Sequence, residues 1–110
     1  MLVMDNDMIR DSINRSPLRL SVTDNSIIRE NFIEYRSGTP IRISLSDNNR
    51  VNANVIIGAR SAISFFQSSG QAIGNEIRLT DPDGLVRSIP GIFVSFSIVD
   101  IINNTVIQIP

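Results

Sequence analysis

The chain has 110 residues, 11 acidic and 10 basic, and contains no cysteine, histidine, lysine or tryptophan. Those absences exclude disulfides, thiolate or imidazole metal sites, Ser-His-Asp and Cys-His catalysis, and Schiff-base chemistry. A near-neutral chain whose basic residues are all Arg and form no cluster also argues against nucleic acid as its main partner.

The length fits one domain. Scaling predicts about 6,000 Å² exposed when folded against about 17,700 Å² unfolded, enough burial for one core without covalent staples. Charge is unevenly spread: residues 51–75 carry only Arg60, and residues 88–110 only Asp100. With 42% hydrophobic residues, part of this charge-poor surface is expected to meet another subunit.

In chain order, Met1 to Ser16 shows no strand alternation and reads as an N-terminal arm or a short helix capped by Asp7. Met4, Met8, Ile9 and Ile13 would be its docking anchors. It lacks the basic start and apolar run of a signal peptide. Leu18 to Thr23 alternates, placing Leu18, Leu20 and Val22 on one face. Asp24-Asn25 is a turn, and residues 26–36 read as strand in preference to helix. After the turn Ser37-Gly38-Thr39-Pro40, Ile41, Ile43 and Leu45 point inward, and a hairpin leads to Val51, Ala53, Val55 and Ile57. Residues 59–67 fit either strand or helix, and 68–74 a small-residue loop.

The last third reads as a β-meander. Glu76–Thr80 and Leu85–Ile89 would form a hairpin around Asp81-Pro82-Asp83-Gly84, where Pro and Gly suit a tight turn. Ile92 to Val99 is a strand rich in β-branched and aromatic residues, and Asn103-Asn104 turns the chain into Thr105–Ile109. The expected fold is an all-β, single-domain antiparallel β-sandwich or small barrel of about seven or eight strands over residues 17–110. No repeat at fixed period is visible. The longest apolar run, Ile92–Ile102, contains Ser95, Ser97 and Asp100 and is too short to span a bilayer, so a soluble protein is expected.

Chemistry-bearing residues are sparse. Glu30 and Glu34 form a carboxylate pair for acid/base work, although a solvated face explains them more simply. Asp81 and Asp83 are accounted for by the turn. Arg19, Arg29, Arg36 and Arg42 could line one sheet surface that binds an anion, and Tyr35 could be a binding platform. No catalytic residue, cofactor or metal is expected. The pattern favours a non-enzymatic structural protein acting through other protein subunits, as a homo-oligomer or lattice. By analogy of size and composition it would be a virion component: a minor capsid, decoration or tail-associated subunit of a virus or phage. The expected interface comprises the arm anchors with Ile92, Val94, Phe96, Ile98, Val106, Ile107 and Ile109. The alternative is a binding module for carbohydrate or protein, working through loops 68–75 and 81–84.

Overall fold

The computed structural model describes residues 1–9 and 16–110. The first coil carries β1 (Leu2–Met4), β2 (Asp7–Ile9) and β3 (Leu18–Ser21). The second carries β4 (Ile27–Arg29), β5 (Phe32–Glu34) and β6 (Ile41–Ser44), and the third β7 (Asn49–Asn52), β8 (Val55–Gly58) and β9 (Ser61–Phe66). The fourth carries β10 (Ser69–Ile73), β11 (Glu76–Leu79) and β12 (Gly91–Ser95), and β13 (Ile98–Ile102) with β14 (Thr105–Gln108) begins a fifth. Each strand pairs only with counterparts in adjacent coils, always in parallel. The described residues thus form three parallel sheets, ordered β1-β4-β7-β10-β13, β2-β5-β8-β11-β14 and β3-β6-β9-β12. This is a parallel β-helix, a solenoid in which each turn contacts mainly its neighbours.

The architecture corrects the expected antiparallel sandwich or barrel. Local alternation marks a strand and its inner face but carries no information about the direction of its partner. The expected hairpins are corners between different sheets. Ile41–Ser44, Asn49–Asn52 and Val55–Gly58 do not pair with one another. Asp81-Pro82-Asp83-Gly84 opens no hairpin; it enters a 3₁₀ helix, Pro82–Val86, with Asp81 at the N-cap accepting from the Asp83 N–H. Residues 27–29, 32–34 and 61–66 are strands, and the expected loop at 68–74 is largely β10. Asp7–Ile9 is a strand, so no helix begins at Asp7; residues 10–15, including Ile13, lie outside the described part.

Two corner types explain why this sequence coils. Between the first and second sheets every connection has two residues: Asp5-Asn6, Glu30-Asn31, Ala53-Asn54, Gly74-Asn75 and Asn103-Asn104. The first of each pair has positive φ, between 55 and 67°, which breaks the strand and redirects it. The second is always Asn. Asn31, Asn54, Asn75 and Asn104 accept the preceding Asn backbone N–H on Oδ1 at 2.9–3.1 Å. Their Nδ2 groups donate to Val3, Ile28, Val51 and Ala72 carbonyls. Buried backbone groups that the corner removes from the sheets are thereby satisfied.

The corner from the third sheet back to the first repeats the device with hydroxyls. Val22, Leu45, Gln67 and Phe96 take positive φ, and Thr23, Ser46, Ser68 and Ser97 follow them. The N–H groups of Thr23, Ser46 and Ser68 donate to the next hydroxyl in the series at 2.9–3.2 Å. Each hydroxyl donates back to the carbonyl two residues earlier.

Inside the coils, aligned side chains stack as columns. Ile28, Val51 and Ala72 form one, Ile33, Ile56 and Ile77 another, and Ile43 and Phe65 a third, all buried. Removing each large apolar side chain from water stabilises the fold by about 1.5–3 kcal/mol. The Asn series shows that successive coils consume 25, 23, 21 and 29 residues. That inequality hides the repeat from any search at a fixed period.

Candidate functional site

The residues expected at an interface separate to opposite ends of the solenoid. Met4 and Met8 lie on β1 and β2, the outermost strands of the N-terminal coil, both half-buried, and the Ile9 backbone belongs to β2. Met8 packs against the core and Met4 Sδ receives an Arg29 Nη2 hydrogen bond at 3.7 Å. The other members lie on or beside the last strands. Phe96 is 85% exposed at a corner and Ile98, the first residue of β13, is 83% exposed. Ile107 is exposed on β14, whereas Val94, Val106 and Ile109 are half-buried. Ile92 is only 3% exposed, so it belongs to the core and is withdrawn from the interface set.

What unites the C-terminal group is its place on the last described strands of the three sheets. In the described residues β12, β13 and β14 each pair on one side only. Val99, Ile101, Val106 and Val94 continue the inner columns and are half-buried at the last level of the described residues. Exposed Ile98, Ile102, Ile107 and Phe96 surround this end. Phe66 supports Phe96 edge-to-face, with ring centroids 6.5 Å apart. The expected interface set holds Ile98, Val106 and Ile107 from these strands, while Val99, Ile101 and Ile102, which the structure places beside them, were outside it. The available signal was the Asn103-Asn104 corner, which identifies Ile98–Ile102 as the final strand of the first sheet.

The candidate chemical groups do not converge. Glu30 occupies an exposed corner, and Glu34 forms an ion pair with Arg36 at 2.5 Å. Asp81 and Asp83 share Arg60, whose Nε lies 2.8 Å from Asp81 and whose Nη2 lies 3.4 Å from Asp83. The Arg60 hydrogen bond, helped by the Asp83 N–H, holds the Asp81 carboxyl below its ordinary pKa, and the same bond raises Arg60. No group of three or more metal-ligating side chains occurs among the described residues. Arg19 and Arg42 are register neighbours in the third sheet, but Arg29 lies in the first sheet and Arg36 follows β5, so the four share no surface. Tyr35 is buried, which removes it as a binding platform. Of the two expected binding loops, 68–75 is mostly strand.

No helix among the described residues is long and apolar enough to cross a membrane. Comparison with known proteins finds no matching family model, no matching curated protein and no matching solved structure.

Proposed function

We propose that this chain is a non-enzymatic assembly subunit that works through protein–protein contacts at the C-terminal end of its solenoid. One observation carries the reading: Phe96, Ile98, Ile102 and Ile107 stand exposed together on and beside the last described strands. Large exposed apolar patches mark interaction sites. A virion subunit is the finer form of this proposal, resting on size and composition alone.

The test is mass in solution by light scattering over a concentration range, for the full chain and for an Ile98→Lys, Ile102→Lys variant. A defined oligomer that the variant weakens supports the reading; a monomer in both cases overturns self-assembly. Deleting residues 1–16 is the poorer test, because it removes β1 and β2 from their sheets.

A further inference from the structure

Three successive coils build a pocket on the outer face of the third sheet. Register sets Arg19 beside Arg42 beside Ser64 across β3, β6 and β9, and two residues further along the same strands it sets Ser21 beside Ser44 beside Phe66. Leu20, Ile43 and Phe65, which lie between the two rows, are buried, so both rows face outward. The six outward side chains line a cavity of about 230 Å³. We infer that this pocket binds a phosphate monoester carried on an aromatic ring, with the phosphate between the two guanidiniums and the ring against Phe66. The site is independent of the assembly reading, since none of its strands belongs to the C-terminal group.

Charge points to a doubly charged anion. Neighbouring strands run about 4.8 Å apart, so Arg19 and Arg42 hold two like charges side by side, an arrangement that costs stability unless it is neutralised. The ion pairs of the described residues use Arg36, Arg60 and Arg78, and none of them reaches Arg19 or Arg42. Arg42 is also oriented. Its Nε donates at 3.1 Å to Oγ of Ser16, a residue only 8% exposed, which leaves the Nη groups for a ligand. The hydroxyls of Ser21, Ser44 and Ser64 line the same cavity and add donors. Two guanidinium forks match a tetrahedral dianion in shape and in charge, whereas a carboxylate or a sulfate ester neutralises only one of them.

Phe66 specifies what the phosphate is attached to. It is 42% exposed at the far corner of the grid, roughly 10 Å along the sheet from the midpoint of the arginine pair. Phe96 holds its ring edge-to-face. An inorganic ion between the arginines leaves this apolar surface wet, while a ring one ester bond from the phosphate covers it.

The test is a calorimetric and NMR titration of the full chain with phenyl phosphate, phenyl sulfate and inorganic phosphate. Expected are shifts concentrated at Arg19, Arg42 and Ser64, with phenyl phosphate bound about threefold or more tightly than inorganic phosphate and more tightly than phenyl sulfate. Phenyl phosphate affinity should fall from about pH 7.5 to about pH 5.5 as the ester takes up its second proton, since the chain has no histidine to titrate in that range. Arg19→Gln and Arg42→Gln, both at exposed positions, should each weaken binding about tenfold or more, and Arg42→Lys, which keeps the charge but not the fork, should not restore it. Phe66→Ala should remove the preference for the phenyl ester while leaving inorganic phosphate unchanged, and Arg29→Gln, on the first sheet, should alter nothing. A phosphotyrosine tripeptide separates the two sources of this chemistry: tighter binding than phenyl phosphate identifies a phosphorylated protein partner, and equal binding a small ester. Absence of shifts at Arg19 and Arg42 in millimolar phenyl phosphate, equal affinity for phenyl sulfate, or undiminished binding by Arg42→Gln overturns the site. Equal affinity for phenyl and inorganic phosphate overturns the place given to the ring.

Discussion

The Asn54 backbone N–H donates to Asn75 Oδ1 at 3.0 Å across one full coil, while Asn75 Nδ2 donates to the Val51 carbonyl at 2.8 Å. One side chain therefore replaces the strand pairing that the corner removes, on both its donor and acceptor sides. Both residues are buried, so water cannot substitute.

Replacing Asn75 by Leu should accordingly cost about 2–4 kcal/mol, since it strands the Asn54 N–H and the Val51 carbonyl while keeping similar volume. Asn104→Leu, at the half-buried last level, should cost less than half as much. Urea unfolding of the two variants measures the difference, and equal costs would mean that the ladder is not a stabilising unit.

Val22 should behave in the opposite sense. It is β-branched, has φ of 50° and is 75% exposed, so its side chain gains little from burial while its backbone is strained. Val22→Asn is expected to stabilise the fold by about 1 kcal/mol, raising Tm by roughly 4–8 °C for a domain of this size. A thermal melt that moves downward contradicts the strain.

Gly58 is required for close approach. A Cβ there would lie 2.3 Å from the Ser61 carbonyl oxygen and 2.8 Å from Pro40 Cδ. Gly58→Ala should destabilise by about 2–3 kcal/mol through overpacking, with loss of amide protection spreading through β8 and β9. Gly74→Ala, which meets no atom within 4 Å but must keep φ at 67°, should cost only about 1 kcal/mol.

The Arg60–Asp81 pair gives the corner after β11 an acid dependence. The Asp81 pKa is lowered on folding from 3.8, so its stabilisation is complete at neutral pH, starts to fall near that unfolded value and is lost as pH drops through the folded one. Both groups are solvent-exposed, so the effect should be local opening of Pro82–Val86, with the coils intact. An NMR titration of the Asp81 carboxyl, with the Gly84 amide protection factor corrected for intrinsic pH-dependent exchange, reads it; Asp81→Asn should remove the acid dependence of that protection factor.

Much of the strand content was legible, and the faces were right until each corner. Leu18, Leu20, Ile41, Ile43 and Val51 point inward as alternation predicts. Val22, Leu45 and Ala53 fail together, because each takes the positive φ at which the alternation stops and restarts on another sheet. At these three corners alternation therefore overruns by one apolar residue. The corners themselves were readable only as two series, Asn31-Asn54-Asn75-Asn104 and Thr23-Ser46-Ser68-Ser97, whose spacing drifts with coil length. Turn chemistry is legible at Asp24-Asn25 and Asn103-Asn104, but a turn residue does not reveal whether the chain reverses or merely bends. At the C-terminal end the low charge was visible, whereas the grouping of Phe96, Ile98, Ile102 and Ile107 depends on which strands the coils bring to one level.

The unequal coils differ most at one vertex. The first-to-second sheet corner never exceeds two residues, whereas the path from the second sheet to the third is Ala59-Arg60 in one coil and Thr80–Pro90 in the next. Strands on either side of the longer path keep their registers with β8, β9 and β14 apart from one local shift at Gly91/Ile92. The molecule therefore has a splice point. Foreign loops grafted into the longer path after exposed Val86 should be carried without rewriting the coils, because lengthening a surface connection costs only about 0.6 kcal/mol per doubling.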